Sequence, residues 1–278
     1  MINQTRRTLL TAMPAFTGAA TILGFTGSRL GALGQAVDGK PPASFPRQDE
    51  DAVSAIVSAS HTQLERVQAL VSERPALAKA SWDWGFGDWE SALGAASHMG
   101  RRDIAEVLMA HGARPTIFTF AMLGALDVVR ALVSGHPGIQ HTPGPHGITL
   151  LAHARVSASR NDDEAARAMV DYLESLGDAD PVPTSLELSD DAQAAYLGHY
   201  RIGRGPEEVL VVERHRQGWL MLRRGDASGR RLHRVEAHGF APAGAPSVRV
   251  RFEVVGDRAV SVTVHDPAPL VTGTRVTG

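Results

Sequence analysis

The stretch "SVRVRFEVVGDRAVSVTVHD" (residues 247–266) sets Val248, Val250 and Phe252 in alternation with charged residues. A period of two sends one set of side chains to a buried face and leaves the other wet, which predicts antiparallel strands. The same rhythm runs through "AAYLGHYRIG" (194–203), "EEVLVVERHRQGWLMLRRG" (207–225) and "RRLHRVEAHGFAP" (230–242), each broken by glycine turns. An antiparallel β-domain is therefore expected over 192–278, behind a linker at 181–191. An up-and-down barrel or half-barrel around an apolar ligand and a packed, ligand-free core both satisfy this pattern.

Upstream, from 52 to 180, the apolar spacing becomes helical. The segment "SALGAASHMGRRDIAEVLMAHGARP" (91–115) reads as a helix, a turn at Gly100, a second helix with Ile104 and Leu108 on its buried face, and a stop at Gly112 and Ala113. A second copy aligns Gly124, Val128 and Leu132 with Gly100, Ile104 and Leu108. A third begins "GITLLAHA" (147–154) and ends with Met169, Leu173 and Gly177, after the insertion "RVSASRNDDEAAR". A partial copy, "LERVQALVSERPAL", precedes them.

These segments resemble the ankyrin repeat, with Ser91, Ala92 and Leu93 at its TPL positions and about four divergent units in all. The resemblance implies a stack in which neighbours bury one another's apolar faces, and a concave surface for a protein or peptide partner. An irregular helical bundle with chance GA stops is the alternative. The C-terminal region is similar to the small β-domain found downstream of serine β-lactamase-like hydrolases; that resemblance carries no catalytic positions. The expected fold class is α+β, an ankyrin-like repeat stack over 52–180 followed by a small antiparallel, barrel-like domain.

At the other end, "TRRTLL" precedes a mild apolar run of about fourteen residues, too short to span a bilayer. Residues 1–36 look like a signal peptide, and Arg6 and Arg7 resemble a twin-arginine export signal, which implies a periplasmic or secreted, bacterial protein. A proline-rich linker over 37–51 follows. With 28 basic and 30 acidic residues, and no basic block, neither nucleic acid nor an anionic membrane surface is implied as a partner. The lack of cysteine excludes disulfides, thiolate metal sites and a cysteine nucleophile.

Catalytic motifs are missing: no serine precedes a lysine by three, and GxSxG, HExxH and the P-loop are absent. What stands out is "SWDWGFGDWE" (81–90), which holds three of the four tryptophans. The expected binding set is Trp82, Trp84, Trp89, Asp88 and Glu90 with His98, Phe118 and His146, either as a recognition surface or as core between repeats. The runner-up is a cell-envelope or sugar-directed hydrolase using Asp83, Asp88 or Glu90 with His98 or His146. His141, His146 and His153 invite a metal reading, but a site needs three or four converging ligands with supporting hydrogen bonds. The sequence alone supports no metal and no cofactor.

Overall fold

Asp49 opens the first helix by accepting hydrogen bonds from the amides of Asp51 and Ala52, which satisfies donors that a helix start leaves free. This is a computed structural model, described for residues 43–181, 184–205 and 208–276. The proposed signal peptide and residues 37–42 of the first linker lie outside the described residues.

Helices α1 (Glu50–Ala59) and α2 (Leu64–Glu73) precede a short hairpin, β1 (Ser81–Asp83) and β2 (Trp89–Ser91). Three helix pairs follow: α3 (Ala92–His98) with α4 (Arg102–Ala110), α5 (Ile117–Leu123) with α6 (Leu126–Gly135), and α7 (Leu150–Asn161) with α8 (Glu164–Leu176). Ser91, Thr149 and Asp163 cap α3, α7 and α8 through their side-chain oxygens. The first helix of each pair packs on the next, α1 on α3, α3 on α5 and α5 on α7. Leu150, Met169 and Leu173 form a fully buried centre in the last two pairs.

After a single turn, α9 (Asp190–Gln193), the chain forms β3 (Gly198–Arg201), β4 (Val209–Arg214), β5 (Leu220–Arg224), β6 (Arg230–Glu236), β7 (Gly239–Pro242), β8 (Arg249–Val255), β9 (Arg258–Asp266) and β10 (Ala268–Arg275). All neighbours are antiparallel, and β10 pairs with both β9 and β3, which closes an eight-stranded barrel. Tyr200, Phe240, Phe252, Val250 and Val262 fill its interior together with Tyr196 and the leucines of β4 to β6. Eight strands leave an interior that side chains can fill.

This architecture corrects the expected one. The C-terminal half is a closed eight-stranded barrel preceded by helices, and no ankyrin stack is shown. Repeats of that kind carry a turn element in every unit at a spacing of about 33 residues. Here a hairpin stands before one pair alone, while α6 is joined to α7 through two 3-10 turns, Ile139–His141 and Pro145–Gly147. The helices also lengthen from seven residues in α3 to thirteen in α8, so the units differ in size as well as in linkage. No helix among the described residues is long and apolar enough to cross a membrane.

Candidate metal centre

The tryptophan-rich segment is the β1–β2 hairpin. Trp82 faces Glu90 and Asp83 faces Trp89 across it, and Gly85 and Gly87 take positive φ at its tip. Because successive strand residues point to opposite faces, Glu90 is fully buried while Trp89, beside it, is 63% exposed.

Three histidines surround Glu90. His61 follows the end of α1 and His98 ends α3; the two sit in the same tripeptide, Ala59-Ser60-His61 and Ala96-Ser97-His98. In each, the serine hydroxyl donates to the carbonyl four residues back, Ile56 or Leu93. The packed helices α1 and α3 thus deliver equivalent histidines to one place. His146 comes from the turn before α7, where it adopts a left-handed φ of 61°. That conformation is costly for a residue with a β-carbon. Asp88 holds it, accepting from the His146 amide at 2.9 Å and from its Nδ1 at 2.8 Å.

The Nε2 atoms of His61 and His146 each lie 3.4 Å from Oε2 of Glu90, and Nε2 of His98 lies 2.9 Å from its Oε1. The four donor atoms are all within 4.8 Å of one another. Two donors held by one tetrahedral ion at about 2.1 Å would be about 3.4 Å apart. Although His98 Nε2 and Glu90 Oε1 are so close, neither forms a hydrogen bond, and both are buried. An ion between them would accept a lone pair from each.

The outer imidazole nitrogens of His61 and His146 are satisfied. Nδ1 of His61 lies 3.1 Å from the carbonyls of Val57 and Ser58. Nδ1 of His146 donates to Asp88, and Trp84 Nε1 donates to Glu90 Oε2 at 2.8 Å. Such bonds orient metal-ligating imidazoles and point their Nε2 lone pairs inward. Asp88 is fixed in turn by Arg230 of β6, at 2.6 Å, which also donates to the carbonyls of Ala243 and Trp84. Gly244, at φ +81°, allows this approach: a β-carbon there would lie 2.7 Å from Asp88 Oδ2 and 3.0 Å from the His146 Cα.

Charge follows geometry. Burial alone would raise the Glu90 carboxyl, but the His146 and His98 imidazoles beside it outweigh that and hold it at about 2. Burial would likewise lower His146, yet hydrogen bonds and charge from Asp88 and Glu90 lift it to about 9. Asp88 is pulled below its ordinary value by His146 and Arg230 against its own burial. The site holds an ionised carboxylate that demands a nearby positive charge, which a protonated His146 supplies here and a divalent ion could supply instead.

Of the residues singled out in the sequence, Glu90, His98 and His146 come together, with Trp84 and Asp88 directly behind them. Trp89 and Phe118 line a separate cleft nearby. Trp82 stays on β1, half-buried, and Asp83 turns away to accept from the Gly85 amide at 2.8 Å. His141 pairs with Asp178 near the surface, and His153 is buried against Phe118, with ring centroids 4.8 Å apart; burial pushes His153 down to about 4. The member of the cluster not singled out was His61. Its signal was the repeated Ala-Ser-His.

No protein-family model matches the chain, and no curated protein matches it in sequence. Among solved structures, one of SurE with D-Leu is 25% identical over 43% of this chain, with a TM-score of 0.24. The match spans 28% of that protein's length, and a likeness so slight carries no argument about fold or activity.

Proposed function

We propose that this chain binds one divalent first-row transition ion through His61, Glu90, His98 and His146, and that the ion serves a metal-dependent activity on a small molecule. The observation that carries the reading is the buried pair His98 Nε2 and Glu90 Oε1, 2.9 Å apart without a hydrogen bond. Three imidazoles and a carboxylate suit zinc, iron, manganese or cobalt better than calcium, which prefers oxygen alone.

A catalytic use is favoured over a structural one because the cluster has an open side. His61 and His146 are part-exposed and line a cleft of about 360 Å³ together with Trp84 and β6. An ion in such a place can polarise a substrate oxygen or lower the pKa of a bound water. Within this chain, Asp88 orients His146, Trp84 restrains Glu90 and Arg230 keeps Asp88 ionised. Export in the folded state, as the twin-arginine-like start suggests, belongs to the same proposal and fits an ion acquired before transport.

Cobalt provides the test. Loading with Co2+ should produce visible absorption bands unlike those of the hydrated ion, saturating at one equivalent, and His98→Ala should remove them. A spectrum identical to that of free Co2+ at every ratio would end the proposal.

A further inference from the structure

A second opening, about 780 Å³, lies where the helices meet the barrel. Trp89 of β2 and Phe118 of α5 line it from one side, and Val235 of β6 and Pro242 of β7 from the other, with Asp88 and His146 among its walls. Its size is that of a small-molecule site.

The lining decides what could fill it. No lysine, arginine or glutamate borders the cleft, and its one carboxylate, Asp88, is already engaged by His146 and Arg230. Pro143, Pro145, Pro242 and Pro246 all contribute, and proline has no backbone N–H to offer. The cleft's His141 and His146 already face Asp178 and Asp88, so a charged ligand would lose its hydration there for little in return. His233, which also borders the cleft, is kept below its ordinary value by burial and so adds no cation at neutral pH.

Trp89 is the second observation. Its indole is 63% exposed, yet its backbone is pinned in the hairpin opposite Asp83. A large aromatic ring presented to solvent from a fixed strand, at the edge of an apolar hollow, is costly unless something covers it.

We propose that this cleft binds an uncharged small molecule with a flat, largely apolar body, aromatic or alicyclic, resting against Trp89 and Phe118 and facing Val235 and Pro242. His146 forms part of the cleft wall and also belongs to the cluster around Glu90, so an occupant would lie next to the candidate metal ligands. The inference rests on the cleft lining alone and stands apart from the metal reading.

N-phenyl-1-naphthylamine, an uncharged aromatic fluorophore, is the probe. With the full chain it should bind saturably at one site, equally in EDTA and with Zn2+ added. Trp89→Ala and Phe118→Ala should each weaken it by about 10-fold or more, the effect of removing an anchoring aromatic, and Val235→Asp should do the same from the barrel side. The anionic 8-anilinonaphthalene-1-sulfonate should bind at least about 10-fold more weakly, the equivalent of about 1.4 kcal/mol. Since Trp89 is exposed, its alanine variant should keep the wild-type far-UV spectrum and thermal midpoint. Absence of saturable binding, unchanged affinity in all three variants, or tighter binding of the anion would each overturn the proposal.

Discussion

Barrel and helices each enclose a core, and they treat buried polar atoms differently. In the barrel the Tyr200 hydroxyl donates to the Tyr196 carbonyl and accepts from Arg275, at 2.6 and 2.9 Å. Burial pushes that phenol up to about 12, so it stays neutral, bonded and inert. Tyr196 in turn meets His238 at 2.9 Å. On the helical side Glu90 and His98 are buried with their facing atoms unbonded, while Nδ1 of His61, Nδ1 of His146 and Trp84 Nε1 beside them are bonded. An unpaired buried polar atom costs about 1–3 kcal/mol. These two atoms face each other as the proposed metal centre requires, and the barrel supports them through Arg230 and Asp88.

The contrast can be broken from either side. The largest stability effect should come from the barrel: Phe240→Ala empties a fully buried aromatic position and should cost about 3–5 kcal/mol in urea denaturation. Glu90→Gln should act on the other property, weakening metal binding by more than about 100-fold, beyond the loss usual for a supporting residue. Isothermal titration of both variants would separate support from site. If Glu90→Gln binds metal as the wild type does, the division of labour is wrong.

A middle-sized effect belongs to the contact between the two regions. Asp88→Asn keeps the shape but removes the charge shared by His146 and Arg230, and metal affinity should fall by about 10- to 100-fold. An unchanged affinity would mean that the barrel has no part in the centre.

The smallest effect lies away from both. Asp163 caps α8 through the Ala166 amide at 2.7 Å, and that bond, with Arg102, holds its carboxyl below the ordinary value. Asp163→Ala should cost about 1 kcal/mol. Because the folded carboxyl titrates lower than the unfolded one, its contribution is present above about pH 4 and is lost as the pH falls through the depressed value. Wild type and variant should therefore converge in stability in acid, a result that thermal melts at pH 7 and pH 3 would check.

Legibility in the sequence followed the range of the forces involved. The alternation of Val250 and Phe252 is a local period, and both are buried in β8. Closure of the barrel depends on β10, where Ala268, Pro269 and Leu270 are all exposed and alternation is lost; nothing in its local pattern reveals its two partners. The ankyrin-like spacing was a sum of local signals, a capping serine at 91 and a positive-φ glycine at 100, and such signals do not require a finger in every unit. Glu90 and His146 stood out by residue type, but their convergence is set by tertiary packing across 56 positions of chain, which spacing alone does not encode. His61 was hidden because a single histidine after a helix has many uses; only its repetition as Ala-Ser-His hinted at a role.

The most direct test of the centre is equilibrium dialysis of the full chain against Zn2+, Mn2+, Fe2+ or Co2+, with metal counted by plasma mass spectrometry, in wild type and His61→Ala. The wild type should retain one equivalent of at least one of these ions, and the variant should lose it. No retained metal in the wild type, or full retention without His61, would contradict a site built from His61, Glu90, His98 and His146.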